Sequence, residues 1–140
     1  MQTILFICTG NTCRSPIAEA LANEIFKKDN LALKAISCGV MAQANAPASP
    51  HAQTIFPTLT NHKSQPATQA LTNSAKAIFT LTRAHKTHIL TAFPQLKPKT
   101  QTLLENGDIA DPFGGDLPTY QNCATQIKNQ IQKIDWRKYL

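Results

Sequence analysis

The sequence predicts an α/β fold in three layers, a four-stranded parallel sheet flanked by helices, and three observations carry that prediction. Short apolar runs suited to buried strands alternate with segments of helical spacing along the chain. The first of those runs ends in a Gly/Asn loop that leads straight into a helix, the arrangement found at the carboxyl edge of parallel sheets. The chain has 140 residues, 42% of them hydrophobic and 16% charged, which suits one core and a single domain spanning residues 1–140.

Ile4 to Cys8 is an apolar run of strand length, suited to burial on both faces. Thr9-Gly10-Asn11-Thr12 is loop composition, and Ser15-Pro16 then reads as a helix start, with Ser15 as N-cap, Pro16 at the first helical position and Glu19 in the first turn. Ile17, Leu21 and Ile25, beside Ala18, Ala22 and Phe26, give that helix one wide apolar face to about Lys28. Leu33 to Cys38 predicts a second strand, stopped by Gly39. Ala42 to Pro50 is loop, and a short helix follows over His51–Phe56. Ala75 to Thr82 predicts the third strand, Arg83 to Ala92 a helix, and Thr100 to Leu104 the fourth strand. Asn106 to Pro118 holds three glycines and two prolines and reads as loop. From Tyr120 the stripe Tyr120, Cys123, Ile127, Ile131, Ile134 predicts a last helix to about Trp136.

Charge and cysteines exclude several function classes. Lys+Arg number 14 against Asp+Glu 8, a formal net charge of +6, but the lysines are scattered and no aromatic-rich RNA-binding signature accompanies them. A solvated basic surface is expected, one that raises the encounter rate with anionic substrates, and not a nucleic-acid interface. No apolar run approaches the roughly 20 residues of a membrane-spanning helix. The apolar start Ile4–Ile7 is short and lacks a basic leader, so it reads as a core strand and the expected setting is the cytoplasm, with reduced thiols. Cys38 and Cys123 read as small core residues, and no second pair of ligands completes a zinc site with Cys8 and Cys13. No metal or cofactor is implied.

The segment Cys8-Thr9-Gly10-Asn11-Thr12-Cys13-Arg14-Ser15 combines what phosphate chemistry requires. Consecutive backbone N–H groups in a tight loop cradle a dianion, and the following helix N-terminus adds partial positive charge. Arg14 supplies a planar fork that matches two phosphate oxygens. Beneath this positive array the Cys8 thiol is expected to become more acidic, and a thiolate there is a nucleophile for in-line attack at phosphorus. Asn11 suits a left-handed backbone and side-chain bonds that stiffen the loop. Ser15 has two readings, helix cap or hydrogen-bond donor to the Cys8 thiolate. A Rossmann loop lacks its other two glycines here, and a Walker loop lacks its Gly-Lys-Ser/Thr.

With the loop Cys8–Pro16, the element Ser37-Cys38-Gly39 and the late pair Asp111-Pro112 in that order, nearly the whole chain resembles the low-molecular-weight protein tyrosine phosphatases. The resemblance implies a cysteine-dependent phosphatase with a phosphocysteine intermediate. It implies Cys8, Arg14 and Asp111 as catalytic residues, with Asp111 first general acid and then base. Taken alone, Asp-Pro in a loop is a turn initiator. The same resemblance places Thr9, Gly10, Asn11, Thr12, Cys13, Ser15 and Phe113 around the phosphate and substrate. For Cys13 it implies a reversible disulfide with Cys8, beside the plain reading of a packed small residue. Asp108 and Asp116 read as turn or cap residues. Thr12, together with Asp111-Pro112-Phe113-Gly114-Gly115, is similar to the bacterial protein arginine phosphatase branch, where tyrosine-type members carry an apolar β-branched residue and a second aromatic. Protein phosphoarginine is therefore the expected substrate, with protein phosphotyrosine as the alternative. A thiol-dependent arsenate reductase would need relay cysteines, and none lies between Cys38 and Cys123. A non-catalytic phosphate-binding module would need neither the thiol nor the late acid. Lys76, and the lack of acidic residues over Pro66–Ser74, depart from many relatives. The expected partners are phosphorylated proteins, with inorganic phosphate as product, and the chain is expected to act as a monomer.

Overall fold

The computed structural model describes all residues 1–140. Its strands are β1 (Gln2–Cys8), β2 (Leu33–Gly39), β3 (Ala77–Thr80) and β4 (Thr100–Thr102), and its helices α1 (Arg14–Lys28), α2 (Pro50–Ile55), α3 (Gln69–Ser74), α4 (Arg83–Ala92) and α5 (Leu117–Gln132). The sheet runs β2-β1-β3-β4, with every pairing parallel. The chain thus starts in the middle of the sheet and leaves it in both directions. The loop after β1 lies at the resulting switch point, where parallel sheets open a crevice beyond their carboxyl ends.

Residue alternation along β1 divides the core. Ile4, Phe6 and Cys8 point into the larger cluster with α1 and α5, and Leu5 and Ile7 point into the smaller one with Ile89 of α4 and Leu96. Both faces of β1 are covered, which is why its run is apolar throughout. Trp136 packs edge-on against Phe6, Phe26 and Phe79, tying the last turn of the chain to the sheet and to α1.

Several boundaries differ from the sequence expectation. Helix α1 begins at Arg14, with Cys13 at its cap position, and its first bond runs from Ile17 N–H to the Cys13 carbonyl. Ser15 is therefore not the cap and Pro16 not the first helical residue, because the preceding loop itself turns the chain into the helix. Glu19 falls beyond the first turn and accepts a hydrogen bond from the Ser37 hydroxyl at 2.9 Å. Strands β3 and β4 are shorter than expected, since Leu81 and Leu103 already bend away to meet Ile109 and Thr80. Helix α5 starts before Tyr120, because Asp116 caps it through Thr119 N–H at 3.0 Å, and Pro118 fits its first turn. It ends at Gln132, and Trp136–Tyr139 forms a separate 3-10 turn. No helix is long and apolar enough to cross a membrane.

Candidate active site

The loop between β1 and α1 closes over a pocket of about 230 Å³ lined by Cys8, Thr9, Gly10, Thr12, Cys13, Arg14, Asp111 and Phe113. Eight of the ten residues singled out in the sequence therefore meet in one place. Asn11 and Ser15 are the two outside the lining. Both are fully buried and brace the loop from behind.

Asn11 is the centre of that bracing. Its φ of 58° puts it in the left-handed region, where asparagine is among the few side chains tolerated. Its side-chain amide donates to Ser15 Oγ at 2.8 Å and Ser37 Oγ at 2.9 Å, and its Oδ1 accepts Gln65 N–H at 3.0 Å. Its backbone carbonyl lies 2.8 Å from His62 Nε2. A second constraint comes from Gly39 at the end of β2, where a Cβ would collide with the Thr9 carbonyl and crowd the Asn11 N–H. Only glycine lets the neighbouring strand approach the loop this closely.

Cys8 Sγ lies 2.8 Å from Ser15 Oγ, so the second reading of Ser15 is the one the geometry gives. Burial is the largest influence on this thiol and raises its pKa above the ordinary value. The Ser15 hydroxyl, the Ser15 and Asn11 N–H groups and the Arg14 charge pull it down, in that order, but burial prevails. The expectation of an acidic thiol is corrected accordingly: at 3% exposure the sulfur loses more hydration than these contacts return. Burial likewise pushes Cys38 and Cys123 up to about 12, in keeping with their reading as inert core residues.

Arg14 is 6% exposed, an uncommon state for a guanidinium. Its Nη1 donates to the Ile109 carbonyl at 2.9 Å, and its Nη2 stands 3.5 Å from Asp111 Oδ2. The loop that carries Asp111 is thereby tied to the first turn of α1. Ile109 N–H bonds to the Leu81 carbonyl at the end of β3. Asp108, expected as a turn or cap residue, instead accepts from the Arg83 backbone N–H at 2.7 Å and from its guanidinium, tying its loop to the start of α4, where Thr82 is the cap. Asp111 itself is half-exposed and its Oδ1 accepts the Phe113 N–H at 3.1 Å. Phe113 is 77% exposed at the pocket mouth. Cys13 is buried, with Tyr120 Oη 3.3 Å from its sulfur.

Four residues of this assembly escape a reading of the sequence. His62, Gln65 and Tyr120 contact the loop from 51 to 107 positions away, and their local sequence gives no sign of it. His85 left one signal: it and Ile89 are the buried residues of α4, one turn apart, so a histidine occupies a core position of a short helix. The arrangement as a whole can hold a tetrahedral dianion between loop amides and a guanidinium. It places a sulfur beneath that anion and a carboxyl at the mouth beside an apolar ring.

Comparison with known proteins agrees with this geometry. The family model for low molecular weight phosphotyrosine protein phosphatases matches residues 3–137. A protein-arginine-phosphatase of Bacillus subtilis is 37% identical over 139 residues, covering 94% of this chain and 93% of its own. The low molecular weight protein-tyrosine-phosphatase PtpB of Staphylococcus haemolyticus is 32% identical, covering 94% and 96%. A solved structure of the arginine phosphatase YwlE, a cysteine-to-serine mutant with a phosphorylated active-site serine, superposes with a TM-score of 0.90. It is 34% identical and covers 99% of this chain and all of its own.

Proposed function

We propose, from the premise that this chain belongs to the low molecular weight phosphotyrosine protein phosphatase family, that it hydrolyses phosphoarginine in proteins through a phosphocysteine intermediate. The observation that carries this reading is the convergence of Cys8, Arg14 and Asp111 on one pocket, with Asp111 held 3.5 Å from the guanidinium. The loop amides of residues 9–15 and Arg14 bind the phosphoryl oxygens. The Cys8 thiolate forms an S–P bond as the P–N bond of phosphoarginine breaks. The electron pair goes to the departing guanidino nitrogen, which takes the proton of Asp111. Water then attacks the phosphocysteine and gives a proton to the Asp111 carboxylate. The S–P bond breaks, the thiolate returns, and inorganic phosphate leaves. Burial raises the Cys8 pKa, and the Ser15 hydroxyl is the largest of the contacts that favour the thiolate.

Support for arginine comes from the pocket wall and from the relatives. Thr12 presents a hydroxyl in the lining, where it can orient the guanidinium or the attacking water, and Phe113 gives one apolar wall followed by two glycines. Two relatives, 37% and 35% identical, bear the name protein-arginine-phosphatase. Phosphotyrosine is the second reading, favoured by the 32% identical tyrosine phosphatase. The reading includes a monomer working in the cytoplasm, and a Cys8–Cys13 disulfide under oxidation, since both thiols line the same pocket. The test compares turnover of a phosphoarginine protein and a phosphotyrosine peptide by wild type and Thr12→Ile. Wild type is expected to favour the phosphoramidate and Thr12→Ile to lose that preference. A wild type that prefers phosphotyrosine overturns the arginine assignment and leaves the reaction chemistry standing.

A further inference from the structure

His85 is 5% exposed, and nothing in the chemistry above uses it. It stands in the first turn of α4, where the Thr82 hydroxyl accepts its backbone N–H at 3.0 Å. Its ring Nε2 lies 2.8 Å from Thr9 Oγ1, across the entire span between α4 and the phosphate loop. Nδ1 is buried and has no partner. Burial, and then the charge of Arg14, hold the imidazole down at about 4, so near neutral pH the ring carries one proton. A buried N–H without an acceptor is rarer and more costly than an unused lone pair, which places that proton on Nε2. Nε2–H then donates to Thr9 Oγ1. Once the Thr9 oxygen accepts from His85, its own O–H has to point elsewhere, and Thr9 lines the pocket above Cys8.

We propose that His85 is a positioning residue: by donating to Thr9 Oγ1 it turns the Thr9 hydroxyl proton into the pocket, where it donates to a phosphoryl oxygen of the substrate. The inference rests on the phosphatase reading and adds to it a side-chain donor on the residue next to the nucleophile. The acceptor is an anionic oxygen, so the bond is charge-assisted and of the stronger kind.

The test uses the full chain, with p-nitrophenyl phosphate as substrate and inorganic phosphate as inhibitor. Thr9→Val exchanges the hydroxyl for a methyl group of similar size at an exposed position. It is expected to lower kcat/KM and raise the phosphate inhibition constant, each by about tenfold. Thr9→Ser, which restores a hydroxyl at the same position, recovers most of both losses. His85→Gln, which keeps an N–H donor at similar reach, stays close to wild type, whereas His85→Leu matches Thr9→Val. In the double variant Thr9→Val/His85→Leu the two losses do not add. A purely structural His85 would instead cost activity whatever residue occupies position 9. Additive losses, or a Thr9→Val enzyme equal to wild type, overturn the inference. If His85→Leu does not fold, Thr9→Val against Thr9→Ser, with His85→Gln, decides alone. A wild type that neither cleaves the ester nor binds phosphate would defeat the phosphatase reading itself.

Discussion

Asn11→Ala removes the post around which the phosphate loop is built, and the cost can be worked out bond by bond. The side chain donates to Ser15 and Ser37 and accepts Gln65 N–H. Losing two ordinary hydrogen bonds costs about 1 kcal/mol each. The Gln65 N–H loses its acceptor, which costs roughly 1 kcal/mol more for a group half-open to solvent. Alanine at φ 58° adds about 1 kcal/mol of backbone strain. The sum is about 4 kcal/mol, a large part of the roughly 5–15 kcal/mol by which a domain is stable. Urea unfolding at neutral pH should show a midpoint about 2 M below wild type at an unchanged slope. Asn11→Gly, which accepts the left-handed backbone, should recover roughly 1 kcal/mol of the loss. A midpoint for Asn11→Ala within about 0.5 M of wild type would refute the bracing argument, and so would an Asn11→Gly no better than alanine.

Ser15→Ala takes away the largest acidifying contact on Cys8, so the Cys8 pKa should rise further and alkylation by iodoacetamide at neutral pH should slow. An unchanged rate–pH curve would show that this hydroxyl does not tune the sulfur. His85 titrates near 4 in the fold and near 6.5 when unfolded, so its contribution to stability is complete above pH 6.5 and is lost as pH falls toward 4. Arg14, Asp111, Asp108 and His88 face the ring, and after allowance for solvent screening the loss is about 2 kcal/mol. Urea midpoints for wild type and His85→Gln should therefore converge with falling pH, and parallel curves would contradict it. Asp111→Ala should slow cleavage of phosphoarginine by about a hundredfold or more while sparing transfer from p-nitrophenyl phosphate, whose leaving group needs no proton. Equal losses on both substrates in that first, phosphoryl-transfer step would remove Asp111 from the acid role.

The parts of the fold visible in the sequence are those where one local force decides. The run Ile4–Ile7 has no polar residue and suits a central strand, and the helix over Arg83–Ala92 has the bounds its sequence predicts, with Thr82, expected in the strand before it, as its cap. Ser15-Pro16 has the pattern that ordinarily means cap and first turn. Here the preceding loop already starts the helix, which frees the Ser15 hydroxyl for Cys8. Asp111 and Phe113 were legible only through the family pattern, since nothing local distinguishes an acid from a turn at Asp-Pro. Charge and amides are written in the loop and predict an acidic thiol, whereas the burial that raises its pKa depends on how the fold closes around it. His62, Gln65 and Tyr120 act across long stretches of chain, which only the assembled sheet brings together.

Covalent transfer of the phosphoryl group to Cys8 is the central step of the reaction. In Asp111→Ala, p-nitrophenyl phosphate can still phosphorylate the sulfur, but the base for hydrolysis is gone, so the intermediate should accumulate. Rapid acid quenching followed by peptide mass spectrometry should place one phosphoryl group on Cys8, with none on Cys13, Cys38 or Cys123. Phosphoryl on another residue, or an enzyme in which Cys8→Ser turns over as fast as wild type, would contradict the mechanism.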